Sequence, residues 1–462
     1  MDLRDYQIKS VNDVRKSYST GHRAPLLVLP TGAGKTYTFS YITKNANAKG
    51  NRVLILVHRQ ELLTQTSMAL DNLGVRHGII APRRYGELES VGVASIQTLD
   101  RRLAQTAMHY DLIVIDEAHH GVAGTWRRTL SHFPTSKILG VTATPIRTSG
   151  EGLGVEAGGI FDDLIVGPTI SELISQGHLV QPETYAPPTE IDLTGVRRKG
   201  GDYNASQAAE RVDKPSVTGS AVEHYRKLSH GEPAIAFCAS IDHATHVRDE
   251  FRAAGYASEV IHGKLDDDER KDLISGLATG RIQVLTSVDI ISEGTDIPVV
   301  STAILLRPTQ SLGLYMQQVG RVLRPSASKR RALILDHVGN CLKHGLVTDN
   351  HDWMLDGEVK SRRKSSDDET IVRQCKKCFA VYDEGLVCPY CGHQNPPKPR
   401  KIEERDGELM QVTKEQIAAI KAQKMDEYKN AKTWQEACAI ANRRGDSMYW
   451  LKMRWGRKFG QL

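Results

Sequence analysis

No apolar run in this 462-residue chain approaches 18 residues, so the sequence predicts no membrane-spanning helix. Its first residues, Met1-Asp2-Leu3-Arg4-Asp5, are charged and lack the apolar core of a secretory signal. Both absences predict a cytoplasmic or nucleoid-associated protein with no membrane partner. No unit of 20 to 50 residues repeats, which argues against a solenoid. A large charge excess is missing too: 61 Lys and Arg against 55 Asp and Glu leave a net charge of +6. That mild basic excess fits a nucleic-acid partner without requiring one. Cysteine is sparse at seven residues. Cys238, Cys341 and Cys438 are scattered and read as reduced thiols, while the other four form one cluster. The 40% apolar content is ample for several cores, and the length predicts two or three domains.

Two short strings carry the chemistry. Residues 30–36 read Pro-Thr-Gly-Ala-Gly-Lys-Thr and follow the apolar run Leu26 to Leu29. Gly32 and Gly34 allow a tight turn that aims backbone N–H groups at phosphate oxygens. Thr31 and Ala33 complete the loop, Lys35 adds a mobile cation, and the Thr36 hydroxyl suits Mg²⁺. In the general phosphate-loop pattern, the slot for the first Gly falls at Leu29; the string fits the PTGxGKT variant instead. Residues 116–119 read Asp-Glu-Ala-His after a second apolar run, Leu112 to Ile115. At a strand's C-terminal end, Asp116 is placed to hold Mg²⁺ through water, and Glu117 to act as general base. The order and spacing of the two strings predict an ATP hydrolase.

Strand candidates at 26–29, 53–57, 91–95, 112–115 and 138–141 alternate with helical stretches, the pattern of a parallel α/β domain. A second set lies at 234–238, 258–261, 283–286, 301–306 and 332–336. The expected organisation is an ATP-binding domain over 1–165, a linker over 166–215 and a second α/β domain over 216–340. A linker over 341–370, a four-cysteine element over 371–397 and a basic, aromatic helical tail over 398–462 follow.

With these strings in order, the chain resembles superfamily 2 helicases of the DEAD/DEAH-box type over roughly residues 1–340. Leu3-Arg4-Asp5-Tyr6-Gln7 resembles the adenine-sensing segment, His58 to Leu62 motif Ia, and Ser95 to Thr98 motif Ib. Gly140 to Pro145 resembles motif III, Ala236 to Cys238 motif IV, and Ser292 to Asp296 motif V. Tyr315 to Arg324 matches the QxxGRxxR of motif VI. Residues 306–309, 315–324 and 333–340 further resemble the bacterial RadD-type group and related phage helicases, which carry a Cys-rich zinc element after the motor. The compact chain fits a phage or prophage origin.

The resemblance implies a fold and a set of roles. The fold is α/β: two tandem RecA-like parallel-sheet domains, then a small zinc ribbon and a helical C-terminal tail. Arg4 and Gln7 read the adenine of ATP, and Gly294 and Asp296 lie near the nucleotide. Arg59, Gln97, Thr98 and Thr286 touch nucleic acid. Arg321 and Arg324 act as arginine fingers from the second domain, sharing one helix face by their three-residue spacing. Gln317, one turn earlier, helps order the attacking water. ATP then draws the domains together, and hydrolysis lets them part. The DEAH spelling leans toward a translocating motor. His120 has no role beyond that of a structural histidine.

Cys375-x2-Cys378-x9-Cys388-x2-Cys391 offers two knuckles whose thiolates suit structural Zn²⁺; the paired spacing favours zinc over an iron–sulfur cluster. A small residue, Gly392, follows the second knuckle, but Phe379 follows the first. The tail mixes Arg443, Arg444, Lys452, Arg454, Arg457 and Lys458 with Tyr449, Trp450, Trp455 and Phe459. Two readings stand for it: a nucleic-acid clamp, or a helical cap whose rings are core.

The expected activity is ATP-driven movement along DNA, with remodelling or unwinding, using ATP, Mg²⁺ and structural Zn²⁺. The track is single-stranded, duplex or branched DNA. An RNA helicase is the same-class alternative, and a motor subunit acting with a separate nuclease is another. The C-terminal region leaves room for a recombination, repair or nuclease partner. A recruitment module that merely retains its ATP site is disfavoured, because every catalytic part is present.

Overall fold

The computed structural model describes residues 3–82, 84–85, 89–103, 109–120, 124–147, 150–186, 193, 195–290, 297–327, 329–356, 373–382, 385–395, 427–444, 451 and 454–460. Eight strands make the first sheet. They are β1 (Pro25–Val28), β2 (Val53–Val57), β3 (Gly78–Ala81), β4 (Arg84–Tyr85), β5 (Val91–Ser95), β6 (Leu112–Asp116), β7 (Lys137–Thr142) and β8 (Asp163–Val166). Their order is β4-β3-β5-β2-β6-β7-β1-β8, parallel except for β4. Helices α1 (Asp5–Ser19), α2 (Lys35–Ala48), α3 (Gln60–Asn72), α4 (Ile96–Arg102) and α5 (Gly124–Ser131) accompany it.

A parallel sheet covered on both faces needs strands that are apolar throughout. β2, Val-Leu-Ile-Leu-Val, is buried at every position. Truncating Leu54 or Ile55 there to Ala would cost about 2–5 kcal/mol. In α1 the buried residues Tyr6, Gln7, Ser10, Val11, Val14 and Ser17 recur every three or four positions and form the face laid on the sheet.

The second sheet contains β9 (Pro182–Tyr185), β12 (Ala234–Phe237), β13 (Ser258–His262), β14 (Val284–Val288), β15 (Thr302–Leu305), β16 (Ala332–Asp336), β17 (Arg373–Gln374) and β18 (Ala380–Tyr382). Its order is β13-β14-β12-β15-β16-β9-β18-β17. It is parallel from β13 to β9, and β18 and β17 join antiparallel. A separate hairpin pairs β10 (Arg198–Lys199) with β11 (Asp202–Tyr203). The helices of this half are α6 (Ile170–Ser175), α7 (Ala205–Val212), α8 (Pro215–Ser229), α9 (Ile241–Ala253), α10 (Asp267–Thr279), α11 (Leu312–Gly320) and α12 (Asn340–His344). The fold is α/β, two tandem RecA-like units with a four-cysteine element on the second.

Three expectations differ from the structure. The stretch 166–215, expected as linker, supplies β9, the hairpin, α6, α7 and the start of α8. β9 reads Pro-Glu-Thr-Tyr, too short and polar to stand out, yet it pairs with β16 from Pro182↔Ala332 to Tyr185↔Leu335. Arg321 and Arg324 do not share a regular helix. α11 ends at Gly320, Arg321 is its cap, and tighter bonds follow, with Arg321 N–H donating to Gln318 O at 3.3 Å and Val322 N–H to Val319 O at 3.1 Å. The linker expected over 341–370 begins within α12, and residues 357–370 lie outside the described residues.

The described residues after 396, namely 427–444, 451 and 454–460, belong to a unit of their own. Around α13 (Trp434–Arg444), the buried residues Tyr428, Ala431, Ala437, Ala441 and Leu451 make a small core, with Trp434, Trp455 and Phe459 packed against it. Lys458 Nζ lies 4.9 Å from the Phe459 ring centre and donates to Ala431 O at 2.9 Å. Trp455, Phe459 and Lys458 therefore serve packing. Tyr449, Trp450 and Lys452, and the side chains of Arg443, Arg444 and Arg457, lie outside the description. Among the described residues, no helix is long and apolar enough to cross a membrane.

Candidate active site

The phosphate loop leaves β1 and the Asp-Glu-Ala-His string leaves β6, with β7 between them. Parallel strands about 4.8 Å apart bring both loops, and Thr142 to Thr144 at the end of β7, to one edge of the sheet. Gly32 and Gly34 have φ of +87° and +76°, a left-handed backbone that side chains oppose. Gly34 caps α2 and brings no side-chain acceptor to its first-turn amides, the arrangement of a helix N-terminus that receives an anion. The loop is held from behind by α1. Tyr6 Oη donates to Ala33 O at 3.0 Å, and Gln7 Nε2 donates to the same oxygen at 3.2 Å. Gln7 thus grips the loop's backbone, while Arg4 is exposed and its Nη1 donates to Tyr6 Oη at 3.1 Å.

Asp116 and Glu117 are both buried. Lys35 Nζ lies 3.9 Å from Glu117 Oε1. Glu117 has φ of +50°, an uncommon backbone for a side-chain-bearing residue and one that recurs at functional sites. Its N–H donates to Asp116 Oδ1 at 2.9 Å. Burial, and then the neighbouring Glu117 charge, push the Asp116 carboxyl up to about 7, against the pull of Lys35. Two buried carboxylates beside one lysine are short of positive charge. Together with the Thr36 hydroxyl, they make an oxygen donor set fit for a hard divalent cation.

His119 connects the two halves. Thr142 Oγ1 donates to Thr144 O at 3.0 Å, so it accepts from its other neighbours, one of which is His119 Nδ1 at 3.1 Å. That has Nδ1–H donate to Thr142, while Nε2 lies 3.5 Å from Gln317 Nε2 of the second half. Glu117 Oε2, 3.5 Å from His119 Nδ1, makes no hydrogen bond among the described residues. His120 is sandwiched, its ring 4.2 Å from that of His119 and 4.3 Å from that of His58.

The second half approaches the loop directly. A Cβ placed on Gly320 would stand 2.5 Å from Thr31 Cβ, and one on Gly32 would stand 3.5 Å from Arg324 Cγ. Arg321, next to Gly320, is buried. Gly294 and Asp296 lie outside the described residues. Further bridges are Arg59 Nη1 donating to Asp289 O at 2.9 Å and Arg270 to Glu61 at 3.0 Å. Gln97 is exposed and donates to His58 O at 3.2 Å, whereas Thr98 is buried. Thr286 requires correction as a nucleic-acid contact: it is fully buried in β14 and its hydroxyl donates to Glu259 O at 3.2 Å. The sequence reading missed Tyr6, Thr142 and the His119–Gln317 link, whose partners are distant in the chain.

The four cysteine Sγ atoms lie within 4.8 Å of one another, with Cys375 to Cys391 at 3.5 Å and Cys378 to Cys388 at 3.6 Å. Tetrahedral zinc with bonds near 2.3 Å spaces sulfurs about 3.8 Å apart, so the cluster is compatible with zinc. Phe379 takes φ of +60°, matching the +68° of Gly392, so both knuckles turn alike despite the missing glycine.

These features define a two-domain nucleoside-triphosphatase core. Residues 1–147 match the family described as type III restriction enzyme, res subunit, and residues 218–326 match the helicase conserved C-terminal domain. A 51.5 kDa protein of a Lactococcus phage is 35% identical over 84% of this chain and 82% of its own length. Saccharomyces cerevisiae Irc3, named a putative ATP-dependent helicase, is 29% identical over 73% of this chain. The chain spans 51% of Irc3. A fragment of an HsdR subunit of a type I restriction enzyme from Vibrio vulnificus shares the fold, with a TM-score of 0.58 and 20% identity. That match covers 74% of this chain and 65% of the fragment. The chain belongs to the superfamily 2 helicases, enzymes that hydrolyse ATP.

Proposed function

We propose that this chain is an ATP-driven translocase that moves along DNA and remodels it. The observation that supports the reading is the seating of Gly320, the neighbour of Arg321 in the chain, on Thr31, with Arg324 Cγ close to Gly32 of the same loop. ATP would supply the phosphoryl group, and a bound Mg²⁺ would supply charge neutralisation. The amides of Gly32 to Lys35 and the Lys35 ammonium would bind phosphate oxygens, and Thr36 and Asp116 would hold the metal. Glu117 takes the proton of the attacking water on its unbonded Oε2. His119 and Gln317 fix the position of that water across the cleft. Arg321 and Arg324 place positive charge on the far side of the γ-phosphate. Because the fingers come from the second half, closure is tied to the nucleotide and parting to its hydrolysis.

Arg59 and Gln97 contact the strand. DNA as the track draws support from a type ISP restriction-modification enzyme, LlaBIII, bound to DNA, whose solved structure shares the fold. The four-cysteine element holds zinc and, through β18 on β9, stiffens the edge of the second sheet. A nuclease partner suits the likeness to type I restriction subunits.

The test is steady-state ATP turnover with single-stranded, duplex or forked DNA, or with RNA, and Lys35→Ala as control. Stimulation by a DNA form supports the reading. Stimulation by RNA alone moves the chain to RNA remodelling, and turnover indifferent to all four contradicts a nucleic-acid motor.

A further inference from the structure

The β10–β11 hairpin has no role in the chemistry assigned above. Its sequence, Arg197-Arg198-Lys199-Gly200-Gly201-Asp202-Tyr203, sets three cations before a glycine tip. A run of like charge is usually a solvated face, but three observations set this one apart.

The hairpin is fastened at its root. Asp202 is buried, and its Oδ2 accepts the Thr309 hydroxyl at 2.9 Å while its Oδ1 accepts the Gln310 N–H at 2.7 Å. Arg307 Nη2 lies 3.6 Å from the same carboxylate. The hairpin's acid is therefore committed to the second half and does not neutralise its cations. Arg197 and Arg198 are exposed, and neither has an ion-pair partner among the described residues. Lys343 of α12 adds a further charge, its Nζ 5.3 Å from the Tyr203 ring centre. Partial burial, and then the Arg198 charge, lower its affinity for a proton. Finally, Gly200, Asp202 and Tyr203 line the same cavity of about 500 Å³ as Arg59, His119 and Gln317. The hairpin borders the cleft where the two halves meet.

Gathered cations, a committed carboxylate and a position on the cleft form an anion site wider than a single side chain. We infer that the β10–β11 hairpin, with Lys343, is an auxiliary phosphate-binding site for the nucleic-acid strand on which the motor moves. This rests on the nucleic-acid motor reading. Phosphate contacts of this kind add affinity and fix register without reading sequence.

The test uses the full chain and a single-stranded DNA oligonucleotide, with Kd measured over a salt series by fluorescence anisotropy. The variants are Arg197→Ala with Arg198→Ala, and Arg197→Lys with Arg198→Lys. Each lost single-strand phosphate contact flattens the log–log salt slope by about 0.7. The alanine pair should flatten it by roughly 1.4 and weaken binding on the order of tenfold at low salt. The lysine pair should keep the wild-type slope, because a phosphate contact needs the charge. ATP turnover without nucleic acid and the unfolding midpoint should match wild type in both. An alanine pair with wild-type Kd and slope overturns the hairpin assignment alone, and is also what a site for free phosphate would give. A wild-type chain that binds no oligonucleotide overturns the motor reading itself.

Discussion

Gly320 of the second half lies against Thr31 of the phosphate loop, so closely that a Cβ on the glycine would stand 2.5 Å from Thr31 Cβ. Real Cβ atoms do not approach so near, so any side chain here must push the halves apart. Gly320→Ala should therefore act as a wedge, displacing Arg321 and Arg324 from the loop. Misplacement of catalytic groups by about 1 Å can cost on the order of 100-fold. ATP turnover should fall by about tenfold or more while a fluorescent ATP analogue still binds. Turnover at the wild-type rate would show that this approach is not the working geometry.

His119 and Gln317 should act as a unit, because Gln317 Nε2 lies 3.5 Å from His119 Nε2 across the cleft. Alanine at either position breaks the same link, so the double variant should be no worse than the more damaged single one. A double-mutant cycle on kcat should yield a coupling of roughly 1 kcal/mol or more. Additive losses would mean that the two residues act independently.

Metal analysis should find about one zinc ion per chain, and Cys388→Ser should abolish it. The ribbon strand β18 pairs with β9, so losing the metal exposes an edge of the second sheet. The unfolding midpoint should drop by several degrees. A metal-free wild-type protein with an unchanged midpoint would remove zinc from the account.

The central strands of both sheets were legible because burial on two faces demands uninterrupted apolar runs; 53–57, 91–95 and 332–336 match β2, β5 and β16 residue for residue. β8 and β9 escaped because each is only four residues long and mixes polar with apolar positions, β8 at a sheet edge and β9 beside a partner added late in the chain. The phosphate loop and the Asp116–Glu117 pair were legible because their chemistry is local in sequence. Thr31 on Gly320 and His119 on Gln317 were not, because each joins residues nearly 200 or more positions apart. Thr286 misled because the expected strand 283–286 put it at the strand's end, whereas it stands in the middle of β14 and donates to β13.

Lys35→Ala and Glu117→Gln should each lower ATP turnover by roughly a hundredfold or more, the scale of a lost catalytic group. Both side chains are nearly enclosed, with Lys35 Nζ 3.9 Å from Glu117 Oε1. Glu117→Gln keeps the shape and removes the base, so it should still bind ATP. Near-normal hydrolysis in either variant would contradict the assigned roles.

The most direct test of the account is Arg321→Ala, measured for ATP turnover and for nucleotide affinity in the same preparation. In the proposed mechanism the second half completes the catalytic site without building the cradle. Turnover should therefore fall by roughly a thousandfold, the lower end of an arginine finger's contribution, with affinity close to wild type. Wild-type turnover in that variant would contradict that mechanism.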